Sequence, residues 1–98
     1  MQFIQVIEFR TSQFEEMQRL GDEWEAAAAS DSKARRRILT RDRDDAEHYF
    51  NIVFFDSYEE AMENSNLPVT QEFSGKMMAL TDGAPTFHNL DVVQSVDM

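Results

Sequence analysis

The sequence predicts a single α+β domain over residues 1–98, with the element order strand–helix–strand–strand–helix–strand. Three observations carry that expectation. Four segments read as strands, and two of them, residues 2–10 and 47–55, are mainly apolar on both faces. Two amphipathic helical segments alternate with them, each opening on a Ser-x-x-Glu pattern. The chain has 98 residues, without an internal repeat, linker or low-complexity tract.

Residues 2–10 form the first expected strand. Phe3, Ile7 and Phe9 fall on one face, Ile4 and Val6 on the other. A strand apolar on both faces needs a cover on each side. Ser12-Gln13-Phe14-Glu15 has the form of a capping box, so a helix is expected from Ser12. On it Phe14, Met17, Leu20, Gly21, Trp24, Ala27 and Ala28 form one stripe, opposite Glu15, Glu16, Arg19, Asp22, Glu23 and Glu25. Ser30-Asp31-Ser32 ends it.

Residues 34–43 and 47–55 read as a hairpin around Asp44-Asp45-Ala46. In its second strand His48, Phe50, Ile52 and Phe54 share a face, and Tyr49, Asn51, Val53 and Phe55 share the other. Ser57-Tyr58-Glu59-Glu60 opens the second helix. Pro68 disfavours helix at Leu67 and suits a first helical turn, so the helix is expected to break over residues 64–68. It then continues to about Leu80, with Val69, Phe73, Met77 and Leu80 on one stripe. Residues 82–85 form a turn, and residues 86–96 the last strand, with His88, Leu90, Val92 and Val96 on one face.

Two strand–helix–strand crossovers around a hairpin give a ferredoxin-like fold: a four-stranded antiparallel sheet with two helices on one face. The helices cover one face only, yet the strands are apolar on both. A second copy of the sheet is the simplest second cover, and a homodimer through sheet faces is expected.

The net charge of −10 disfavours nucleic acid, which needs surplus Lys and Arg, and an anionic membrane surface. There is no cysteine, so disulfides and thiolate chemistry are excluded. No segment holds the roughly 20 apolar residues of a membrane helix, and no signal-peptide pattern opens the chain, so the cytoplasm is the expected compartment. No Gly-rich phosphate loop, Ser–His–acid order or zinc-ligand spacing occurs. No cofactor and no metal are expected.

The candidate site residues are polar or aromatic groups in apolar settings. Trp24 lies on the apolar stripe of the first helix, where core packing is the commoner role. Asn51 interrupts an apolar strand, and a buried amide must find partners. His48 and His88 could act as bases near neutral pH if adjacent strands bring them together. Lys33, Arg35, Arg36, Arg37, Arg41 and Arg43 place six of the nine bases in eleven positions. Arg41 and alternate arginines could point inward toward an anionic small molecule, although pairing with nearby acids is the commoner outcome. Tyr58 and the break at Asn64 complete the set.

Phe54-Phe55-Asp56-Ser57-Tyr58-Glu59-Glu60-Ala61 resembles a stretch of stand-alone antibiotic-biosynthesis-monooxygenase-type domains of the dimeric α+β barrel superfamily. There a strand ends in an aromatic residue, and a Ser-capped helix opens with acids and an Ala. Many members carry a His three residues after that Ala; this chain has Asn64. The resemblance covers nearly the whole chain. It implies a dimeric α+β barrel and a monooxygenase-like protein oxidising an aromatic or quinone-type compound without a cofactor. The alternative is a non-catalytic small-molecule-binding or regulatory dimer. Haem binding, known among relatives, would need one of the two histidines as ligand and a porphyrin-sized cavity.

Overall fold

The computed structural model describes residues 1–98. Its elements are β1 (Phe3–Arg10), α1 (Phe14–Ala28), β2 (Arg36–Arg41), β3 (His48–Phe55), α2 (Tyr58–Ser65), α3 (Pro68–Met78) and β4 (Thr86–Asp91). The strands form one antiparallel sheet in the order β2-β3-β1-β4. This is the ferredoxin-like arrangement, with the second helix split in two. The break falls where Pro68 requires it: Leu67 takes an extended backbone, φ −61° and ψ 136°, and Pro68 starts α3.

Two helix starts with the same sequence pattern behave differently. Ser57 caps α2 as expected, its side chain accepting from the Glu60 amide at 3.2 Å. Ser12 does not cap α1. The N-cap is Gln13, without a side-chain cap bond, and the neighbouring Thr11 takes the local role. Its buried hydroxyl accepts from the Gln13 amide at 3.0 Å and donates to the Leu80 carbonyl at 2.7 Å. A hydroxyl that can also tie α1 to the end of α3 outcompetes an exposed serine. Strands β2 and β4 are shorter than expected. β2 gives way at Asp42, whose side chain accepts from the Asp44 amide in a local turn. Past Asp91, the Val92 amide bonds the Gln2 carbonyl, beyond the end of β1, and regular pairing stops there.

Register assigns the two sheet faces. Phe3, Gln5, Ile7 and Phe9 of β1, with Tyr49, Asn51, Val53 and Phe55 of β3, face the helices. The core on that face is in two parts. Phe3, Val53, Phe55 and Ala61 form one cluster, and Phe9, Met17 and Tyr49 the other. The second is organised by a stack: Phe14 of α1 lies parallel to Tyr49 at 4.8 Å, and Tyr49 in turn stacks on Phe9 at 5.5 Å. Helix α2 sits directly on β1 and β3, whereas α1 and α3 pack chiefly on each other.

The opposite face carries Ile4, Val6, Ile38, Phe50, Ile52 and Phe54, all half-buried, and the half-exposed Leu90. No helix covers it. Near one end, Glu8 lies between two histidines. One carboxylate oxygen is 2.8 Å from His48 Nε2, the other 3.1 Å from His88 Nε2. His48 Nδ1 is in turn 3.4 Å from Asp42. The hydrogen bonds from His88 and His48 hold the Glu8 carboxyl below its ordinary value of 4.5. A carboxyl with a depressed folded value stabilises the fold above its unfolded value and loses that contribution as pH falls through the folded one. Glu8 is therefore expected to titrate below 4.5 by NMR. Acid unfolding curves are expected to steepen below that pH, and Glu8→Gln to remove that part of the dependence. A Glu8 midpoint at or above 4.5 would contradict the cluster.

Candidate functional site

The gap between the two core clusters is a cavity. Because α1 and α3 lean on each other, the space over the middle of β1 and β3 is not filled by side chains. It measures about 560 Å3, within the range of small-molecule sites. The sheet supplies Gln5, Ile7, Asn51, Val53, Leu39 and Phe87 to its lining. Helix α1 supplies Met17, Gly21 and Trp24, and α3 supplies Thr70, Ser74 and Met77. Gly21 lies where the two helices meet: a Cβ there would stand 3.4 Å from Met77 Cε, in contact with the end of that side chain.

Three buried polar atoms on this lining have no hydrogen-bond partner within the protein. They are Trp24 Nε1, Asn51 Oδ1 and Thr70 Oγ1. The indole N–H can only donate, the amide oxygen can only accept, and the hydroxyl can do both. A buried polar group without a partner costs about 1–3 kcal/mol, and the three lie on different elements around the cavity: Trp24 on α1, Asn51 on β3 and Thr70 on α3. The fourth such atom, Glu60 Oε2, belongs to α2 and is not part of the lining.

The sequence candidates divide between the two sides of the sheet. Trp24, Asn51 and Asn64 line the cavity. Asn64 is buried and already engaged, however. Its Oδ1 accepts from Ser32 Oγ at 3.1 Å and from the Lys33 amide at 3.0 Å, which ties the loop after α1 to α2. His48 and His88 are not at the cavity; register puts them on the uncovered face with Glu8. Arg41 has helix-facing parity but is exposed at the last position of β2, beyond the lining. Tyr58 also lies outside the lining, its ring edge-on to Phe3 at 5.4 Å.

Two of the six clustered bases, Arg35 and Arg37, pair with acids of the chain. Arg35 pairs with Asp56 at 2.6 Å, and Arg36 lies on the uncovered face over the Phe54 ring. Arg37, not Arg41, is the arginine that reaches the cavity. Sequence reasoning did not single out Gln5 or Thr70. Gln5 was legible as a polar residue on the apolar face of β1. Thr70 carried no signal, since a threonine in a first helical turn ordinarily bonds locally.

No helix is long and apolar enough to cross a membrane. No protein-family model matches the sequence, and no curated protein matches it. Solved structures do. SnoaB, a cofactor-independent oxygenase from Streptomyces nogalater, superposes with a TM-score of 0.83 at 17% identity, over 99% of this chain and 98% of that one. A candidate antibiotic biosynthesis monooxygenase from Caulobacter crescentus gives 0.82 at 16% identity, over 95% and 91%. Rv0793 from Mycobacterium tuberculosis gives 0.81 at 11% identity, over 99% and 100%. Sheet order, the split second helix and these superpositions agree: the chain has the ferredoxin-like fold of the antibiotic-biosynthesis-monooxygenase-type domains.

Proposed function

We propose that the protein binds an aromatic or quinone-type compound between its helices and its sheet, and oxidises it with molecular oxygen without a cofactor. The observation that carries this reading is the trio of unpartnered atoms, Trp24 Nε1, Asn51 Oδ1 and Thr70 Oγ1, on residues that line one cavity. Flat rings fit between the apolar side chains, while carbonyl and hydroxyl groups meet the trio. In the reaction a methylene between two aromatic rings loses a proton to water, the resulting anion passes electrons directly to oxygen, and the carbon and oxygen join. The O–O bond then breaks, and both methylene hydrogens end in the water released. One oxygen atom becomes a ring carbonyl and the other leaves as water, so the organic compound is oxidised and oxygen is reduced. Trp24 is suited to donating to the oxygen on which the anion's charge collects. Asn51 is suited to accepting from a phenolic hydroxyl and fixing the ring's orientation. The oxygenase likeness of the fold raises this reading among others, but the site residues carry it.

A second reading is a non-catalytic binding or regulatory protein. It is favoured by the lining itself, which holds no histidine and only one carboxylate, Asp22, exposed on α1. Oxygen uptake with 1,8-dihydroxyanthrone separates the two. The enzyme reading expects uptake above the spontaneous rate and quinone as product. It also expects a loss of roughly tenfold or more in Asn51→Leu or Trp24→Phe, the scale of one hydrogen bond to a developing charge. Binding without uptake would leave the second reading; no binding would remove both.

The uncovered sheet face is proposed to pair with a second copy. Its half-buried Ile4, Val6, Ile38, Phe50, Ile52 and Phe54 form an apolar surface that no element of the same chain covers. Light scattering at micromolar concentration is expected to read about twice the 11.4 kDa chain mass. A mass of one chain would refute the pairing.

A further inference from the structure

Arg37 stands out among the cavity residues because it is a half-buried cation at a partition. On β2 it lies opposite Val53 of β3, so its side chain points toward the helices. It lines the main cavity and also a smaller one of about 300 Å3 beside it. Trp24, Val53 and Asn64 are the other residues common to both. Its Nη2 pairs with Glu25 of α1, which lines the smaller cavity. Its Nη1 lies across from Gly21, 4.0 Å from where a Cβ would stand. The guanidinium therefore lies beside α1 at Gly21, a residue of the main cavity's lining, with one nitrogen held by an acid and the other next to that lining.

We propose that Arg37 selects ligands bearing a negative group, a carboxylate or phenolate, set at the edge of the ring system that fills the main cavity. This rests on the cavity being the ligand site. Arginine presents its donors as a fixed fork, so Glu25 on Nη2 orients Nη1 in advance. The side chain of Glu25 is 53% exposed, so water weakens its hold on the guanidinium. An anion at Nη1 thus meets a cation only partly neutralised. The smaller cavity, lined by Arg35 and Arg36 as well as Glu25, gives the substituent space beside the main one.

Two matched probes test this: anthraquinone-2-carboxylate and the neutral anthraquinone-2-carboxamide, with affinities measured by calorimetry on the full chain. The wild-type protein is expected to prefer the carboxylate about tenfold, the scale of one net hydrogen bond to a charged group. Arg37→Leu is expected to bring the ratio to about one while carboxamide binding persists. Glu25→Gln, a change at an exposed helix position, is expected to raise carboxylate affinity alone, because it removes a competing negative charge. Equal binding of the two probes by the wild-type protein would overturn the role of Arg37 and leave the cavity as a ligand site. Failure of both probes to bind would overturn the cavity reading together with this one.

Discussion

The helix layer meets the sheet at two supports, and what lies between them follows from that. At one end the small side chain of Ala61 lets α2 settle onto Phe3, Val53 and Phe55. At the other end, rings from three elements, Phe14, Tyr49 and Phe9, stack like a pillar between α1 and the sheet. Between these supports α1 and α3 close on each other through Gly21 and Met77 rather than descending to the strands. A sheet residue in this span has no helix side chain packed tightly over it. Polar side chains are tolerated there, and Gln5 and Asn51 occupy the central rows of β1 and β3. The cavity is thus a consequence of where the core is dense.

The same sheet serves two surfaces by alternation. Helix-facing positions build the cavity, and the positions between them present an apolar face ending in the Glu8, His48 and His88 cluster. This separation bears on chemistry. The titratable groups best suited to proton transfer near neutral pH lie across the sheet from the cavity. The proposed reaction in the cavity would therefore draw on hydrogen-bonding groups, the fixed charge of Arg37 and the acidity of the bound compound itself. That division fits a compound that reacts with oxygen once it is held and ionised.

Most of the fold was legible because periodicity and punctuation agree locally. Strands apolar on both faces, Ser57 before two acids, and Pro68 after a polar stretch each dictate one local geometry, and each is found. The misses share a cause: they depend on which residues meet across the chain. Ser12 and Ser57 open the same pattern, but only beside Ser12 is there a Thr11 able to reach the Leu80 carbonyl. His48 and His88 did meet, through Glu8, yet their face followed from register, which sequence alone does not give. In the site, Trp24 and Asn51 were legible as polar atoms on apolar stripes. Thr70 was not, and Arg37 was one of six bases until the sheet faces were fixed. Asn64 looked like an altered active-site position, and in the structure it latches a loop.

The central claim is that the space between α1, α3 and the sheet receives a polar aromatic ligand. A crystal structure with 1,8-dihydroxyanthraquinone tests it most directly. The expected result is the ring system between Met77 and the β1–β3 rows, with one of its oxygens within hydrogen-bond distance of Trp24 Nε1. A ligand seated on the opposite sheet face, or Trp24 and Met77 collapsed onto Asn51 to fill the space, would contradict it.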